Sequence, residues 1–229
     1  MVVWATIDPS AGRAGMKPFV VESGTPGVRI TKLEEKMGIR ASDTASIVLQ
    51  DARVPFENLL GSPVVESRIA GFRGAMATFD ATRPLVAASA LGIARATLEL
   101  VKEHLSQEGI RIRYGLPLQK LSHVEREVIG MEIMLRSAWL LVLKAVWMAD
   151  NKIHNPLEAS MSKVKAGEVV TRITQIAVEM MGPLGFTRDL LLEKWFRDAK
   201  INDIFEGTGQ INRLIVARNI LGYRGSELR

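Results

Sequence analysis

The sequence predicts a mainly α fold, an antiparallel helical bundle preceded by a partial β domain. Two observations lead there. Residues 1–56 alternate short apolar runs with turn signals, whereas from about Val64 onward the apolar period lengthens from two to the 3.6 of helices and strand signals vanish. The helical segments are long and joined by short connections, which lays consecutive helices side by side in opposite directions. The only shift in composition falls near Pro63, so the expected organisation is a partial β domain over 1–63 and a helical bundle over 64–229.

In chain order, VVWATI, PFVVE, VRIT and ASIVLQDARVP read as strands, with DPSAGRAG and ESGTPG as turns. Four strands of this length make a sheet that covers little core alone, and the first begins at Val2 without a lead-in, as in the middle of a β domain. Helices are expected near 66–106, 117–151, 156–181, 189–200 and 208–221. Their breaks are GLP at 115–117, HNP at 154–156, GPLG at 182–185 and GTG at 207–209. Pro84 falls inside the first helix, which it is expected to kink or restart. The most apolar stretch, from Ala138 through Leu143 to Val146, is interrupted by Lys144 and reads as a buried helix rather than a membrane span.

Composition narrows the chemistry. With 229 residues, 47% of them apolar, the chain can bury a core. It has no Cys and only three scattered His, which excludes disulfides, thiol nucleophiles and a thiolate or His-cluster metal site, so redox chemistry needs a cofactor. The net charge of +5 would suit a polyanion, but Lys and Arg alternate with Asp and Glu, a pattern that favours small phosphate-bearing ligands over nucleic acid. The opening MVVWATID lacks a basic n-region and a long apolar run, so a cytoplasmic location is expected, or the mitochondrial matrix in a eukaryote.

Three places could carry chemistry. Glu206 stands alone between Phe205 and a Gly-Thr-Gly step, just ahead of a helix that Thr208 is expected to cap, with Ile211, Leu214 and Ile215 on the buried side. Taken alone it is either a functional carboxylate or an acid that stabilises a helix start. The N–H groups of Thr208, Gly209 and Gln210 could hold an anion there. In FDATRP, Asp80 and Arg83 share a helix face, as a surface ion pair or as part of a site, and GIRIRYG concentrates Arg111 and Arg113 in a loop suited to phosphate.

Taken in order, KMGIRASDTASIVLQDARVPFENLLG (36–61), FDATRP (79–84), RIRYGLPL (111–118) and RDAKINDIFEGTGQINRLIVARNIL (197–221) resemble the acyl-CoA dehydrogenase family. The resemblance covers the C-terminal part of that family, from the first residue to about Gly222. It implies an FAD-dependent enzyme that desaturates an acyl-CoA thioester. Glu206 would be the base that removes the α proton while a hydride leaves the β carbon for the flavin N5 from the opposite face of the acyl chain. The enolate oxygen would be held by the Glu206 backbone N–H and a ribityl hydroxyl. Asp80, Arg83 and Gly207 match the substrate side of the pocket, and Thr208 and Gln210 match contacts to FAD. Arg111 matches an arginine that reaches the FAD pyrophosphate of a neighbouring subunit, which implies a homo- or hetero-oligomer, a dimer or a tetramer. The implied partners are an acyl-CoA substrate and an electron-transfer flavoprotein or similar acceptor.

The sequence departs from the family pattern in places. A glutamine of the family is replaced by Ser122 or displaced, and a QxxGGxG loop that offers amide donors to FAD reads EMMGPLG, with Glu179 for the Gln and Pro183 for the second Gly. Glu repels phosphate and Pro has no N–H. The family's first helical domain and the β segments that hold the flavin ring have no counterpart in these residues. Two further readings therefore stand beside the dehydrogenase: a non-catalytic or half-site subunit of a hetero-oligomer, and an acyl-CoA oxidase-like flavoprotein.

Overall fold

The computed structural model describes residues 1–65, 70–223 and 227, with the backbone alone for 70–73. The chain divides into two compact units, 1–36 with 40–79, and 37–39 with 80–229.

The first unit holds four strands as two separate antiparallel pairs rather than one sheet. β1 (Val2–Thr6) pairs with β2 (Met16–Val20), Val2 opposite Val20. Between them Asp8 accepts hydrogen bonds from the Ser10 N–H (2.9 Å) and hydroxyl (2.6 Å), opening the 3-10 turn Pro9–Gly15. β3 (Val28–Leu33) pairs with β4 (Ala45–Leu49), with a register shift between Ile30 and Lys32. Val21 and Ala14 are buried, while Ile30, Leu33 and Leu49 lie open. The expected single four-stranded sheet is not formed, and pairs this small bury too little core to be stable alone.

The helices are α1 (Ala70–Gln107), α2 (His123–Asp150), α3 (Pro156–Phe186), α4 (Leu192–Ala199) and α5 (Gly209–Leu221). The expected start of α1 at 66–69 lies outside the described residues. α1 continues through Pro84, which has no N–H to offer the Asp80 carbonyl. α2 begins six residues later than expected, because Ser122 and Glu125 form a capping box that fixes the first turn there, and residues 118–120 form only a 3-10 turn. α3 continues past 181 across a kink at Gly182, whose φ is 54°.

The core follows from spacing. On α1 the buried residues Ala87, Leu91, Ala94, Leu98, Val101 and Leu105 recur at alternating steps of four and three, the seam of packed helices. On α2 the seam runs through Val128, Met131, Ala138 and Val142. α3 is the hub, packed against α2, α4 and α5. Gly167 lets the 3-10 segment Lys200–Asp203 approach it, since a Cβ there would stand 3.0 Å from the Asn202 carbonyl oxygen. Residues 37–39 seat against α4: the Ile39 N–H donates to Asp198 Oδ1 at 2.6 Å, and Arg197 Nη1 donates to the Met37 carbonyl at 2.8 Å.

Two burial expectations are corrected. The Ala138–Val146 stretch is two-faced: Ala138 and Val142 are buried, whereas Trp139, Leu140 (67% exposed) and Leu143 face outward. On α5, Ile211 and Leu214 are exposed and the inward residue is polar, Asn212, because its amide closes carbonyls of the preceding loop. Gly74–Gln107 of α1 has the length and apolarity to cross a membrane, but its apolar seam is spent inside the bundle.

Candidate active site

Four segments of the second unit converge on the loop 204–209. The chain leaves the 3-10 segment with the Ile204 and Phe205 N–H groups both donating to the Ile201 carbonyl, at 2.8 and 3.1 Å. It then takes two left-handed residues in succession, Glu206 (φ 55°) and Gly207 (φ 87°). Such a φ is open to Gly but costs a residue with a Cβ about 1–2 kcal/mol, so Glu206 keeps it only because its surroundings hold it. Thr208 ends the loop as the N-cap of α5, accepting from the Ile211 N–H at 3.3 Å.

Three helices, α1, α3 and α5, add side-chain holds. From α1, Thr82 Oγ1 donates to Glu206 Oε2 at 2.8 Å. From α3, Lys163 Nζ donates to the Gly207 carbonyl at 2.7 Å, and from α5 Asn212 Nδ2 donates to the same carbonyl at 2.7 Å and to that of Thr208 at 3.1 Å. The positive φ favours glycine at 207, and a Cβ there would press on Asn212 Nδ2 at 3.1 Å. Glu206 itself is half-buried.

Asp80 and Arg83 form an ion pair at 2.7 Å, but not a surface one: the Arg83 side chain is 5% exposed and lies 3.5 Å from Ser160 Oγ. Burial pushes the Asp80 carboxyl above its ordinary value, against the pull of Arg83 and His154. The same burial lowers Arg83, opposed by Asp80 and Glu206. Lys163 is also depressed, first by burial and then by Arg83, while Asp203 and Glu206 act the other way. The cluster is thus a partly buried, charged group of side chains in which one oxygen of Glu206 is held by a hydroxyl.

Of the residues singled out in the sequence, Glu206, Gly207, Asp80 and Arg83 come together here, and Thr208 lies beside them as a cap. Gln210 is exposed on the first turn of α5. Arg111 is exposed in the α1–α2 loop and contributes no contact to this cluster among the described residues. Its neighbour Arg113 has another task, donating to Glu125 through Nε and Nη2 at 2.7 Å each. Ser122 caps α2, and exposed Glu179 accepts from Gln175 at 2.8 Å. Thr82, Lys163 and Asn212 were not found by sequence reasoning. Lys163 had a signal: Ala159, Lys163, Ala166, Val170, Ile173 and Ala177 form the α3 seam, and a lysine stands in the apolar row.

This fold, with a bundle that carries a lone carboxylate on a clamped loop, belongs to a known class. The chain is a member of the acyl-CoA dehydrogenase family: the profile of the acyl-CoA dehydrogenase C-terminal domain matches residues 70–221. Among particular relatives, it is 39% identical over 220 residues to the mitochondrial short-chain specific acyl-CoA dehydrogenase of Rattus norvegicus, covering 96% of this chain and 52% of that protein. It is 36% identical over 221 residues to an acryloyl-CoA reductase (NADH) of Anaerotignum propionicum, covering 96% and 54%. The structure of butyryl-CoA dehydrogenase from Megasphaera elsdenii superposes with a TM-score of 0.84 at 36% identity, over 96% of this chain and 55% of that one. The chain spans about half the length of the curated relatives it matches.

Proposed function

We propose that this chain supplies the proton-abstracting side of an FAD-dependent acyl-CoA dehydrogenase, with Glu206 as the base that takes the α proton of an acyl-CoA thioester. One observation carries the reading: the Glu206 carboxylate is held on a left-handed loop, Thr82 at its Oε2, beside the buried Asp80–Arg83 pair. A base must be aimed within hydrogen-bond reach of its proton, and a loop fixed from several helices aims it. The Glu206 N–H is the donor assigned to the developing enolate oxygen. Residues 1–63 are read as part of the family's β domain and 64–229 as its C-terminal helical domain. The names of the relatives favour a short acyl chain.

The donor set suits FAD in part. Arg111 is an exposed permanent cation, Gln210 an exposed amide, and the Thr208 hydroxyl keeps its own proton while its oxygen caps α5. These residues would hold the cofactor, which when bound accepts the hydride from the β carbon. An electron-transfer flavoprotein or similar acceptor would then take the electrons.

A specific observation favours a second reading, a subunit of a hetero-oligomer. The loop at 179–185 offers an exposed carboxylate at Glu179 and no N–H at Pro183, a poor surface for a neighbour's FAD.

The test is Glu206→Gln in the complete enzyme with butyryl-CoA. The amide keeps the shape but cannot take the proton, so turnover falls by about 10²–10⁴ with the melting temperature unchanged. Turnover within about tenfold of the parent overturns the assignment.

A further inference from the structure

A lysine ammonium buried without a carboxylate bonded to it is costly, and an apolar side chain of the same length would sit in the α3 seam more cheaply. Lys163 is 1% exposed, its seam neighbours are Ala159 and Ala166, and the hydrogen bond it makes is to the backbone carbonyl of Gly207, 44 residues away. That carbonyl also takes the Asn212 amide, and Asn212 is fully buried. Both donors thus converge on one oxygen, that of the residue after Glu206.

The backbone explains why two donors are needed. Glu206 and Gly207 are left-handed in succession, and a relaxed peptide at Glu206 would return to negative φ and swing its carboxylate away from Thr82. Fixing the Gly207 carbonyl fixes the 207–208 peptide plane, one Cα beyond the strained residue, and so anchors the loop on its C-terminal side. The hold on the loop behind Glu206 is weaker in kind, being two backbone bonds to Ile201 that any turn can make.

We propose that Lys163 is a positioning residue for Glu206: with Asn212 it clamps the Gly207 carbonyl and so holds the left-handed loop that presents the carboxylate. The functional part of this inference rests on the reading of Glu206 as the base, whereas the clamp itself does not. The charges around the lysine are Asp203 and Glu206, which favour its ammonium, and Arg83, which opposes it. The two acids offset only part of the cost of burial, and the bond to the Gly207 carbonyl gives the lysine its donor role.

The experiment compares Lys163→Met with the parent in the complete flavin-loaded enzyme. Met fills the slot and removes the donor and the buried charge together. The expected result is a melting temperature equal to or above the parent's, with amide exchange of the 204–209 peptide faster by about tenfold and exchange in the α3 seam unchanged. With butyryl-CoA, kcat falls about 10- to 100-fold at nearly constant KM, the effect of a misplaced catalytic group. A purely structural lysine predicts the opposite pattern, a lower melting temperature and faster exchange through the whole bundle, and that result overturns the proposal, as does unchanged exchange at 204–209. Failure of Lys163→Met to fold also counts against it. Asn212→Ala provides the second arm, and an unchanged 204–209 exchange rate there removes the shared clamp. Glu206→Gln run in parallel separates the two ideas: if it stays active the base assignment fails, while loop exchange still judges Lys163.

Discussion

At Gly182 and at Gly207 the chain makes the same local move, a glycine at positive φ (54° and 87°) between helical segments. The surroundings differ. A Cβ at Gly182 would meet nothing within 4 Å, and the side chains beside it, Glu179 and Phe186, face outward. Around Gly207 three helices close in with Thr82, Lys163 and Asn212. A left-handed glycine is therefore only a bend, and polar side chains from distant segments turn the second bend into a candidate site.

Alanine scanning of the two glycines breaks or supports that contrast. Gly207→Ala meets an unfavourable φ and presses on Asn212 Nδ2 at 3.1 Å, straining the clamp. The expected loss of turnover in the complete enzyme, measured with butyryl-CoA, is about 10- to 100-fold.

A smaller effect is expected in the open loop. Changing Glu179→Gln together with Pro183→Gly removes a charge and restores an N–H. FAD affinity of the homo-oligomer, measured by calorimetric titration, should rise about tenfold if the loop faces a neighbour's cofactor. A gain below about threefold removes the physical basis of the hetero-oligomer reading.

A third loop, between α1 and α2, sharpens the rule that polar clamps fix loops. There Glu125, 2% exposed, is held far below the usual carboxylate range by the Arg113 guanidinium and then by the Ser122 N–H, which donates at 2.7 Å. Its folded pKa lies below the unfolded value of about 4.3, so its contribution to stability is complete above that pH and is lost as the pH falls beneath it. Glu125→Gln should thus lower the melting temperature at neutral pH, and the gap to the parent should narrow steadily in melts taken from about pH 4 downward. A gap that is the same at every pH contradicts the ion-pair account.

The smallest change is Gly182→Ala. It adds backbone strain of about 1–3 kcal/mol and no clash, lowering the melting temperature by several degrees with turnover per folded enzyme unchanged.

Periodicity was enough to reveal the helices, because their apolar seams are long and their ends carry chemical signals such as the Ser122 box and Thr208. It could not say which side of α2 or α5 is inward. In Trp139–Leu143 both faces are apolar, so hydrophobicity does not choose between them. On α5 the decisive contact is Asn212 to two carbonyls, which no apolar pattern encodes. The carboxylate at Glu206 was legible from its isolation between Phe205 and glycine, and from motif resemblance. Its supports were not, since Thr82 and Lys163 lie 124 and 44 positions from their partners in the chain. Lys163 was the exception in principle, a charged residue in an otherwise apolar row.

The outward face of α2 carries two indoles, Trp139 at 43% and Trp147 at 59% exposure, next to Leu140 and Leu143. An indole in water emits at longer wavelength than one enclosed by hydrocarbon, so this face is a built-in optical gauge of its own coverage. Whatever surface comes to lie against α2 will shift the emission to the blue and shield it from a soluble quencher. Replacing Trp147 by Phe would reduce that response while leaving the clamped loop on the other helices untouched.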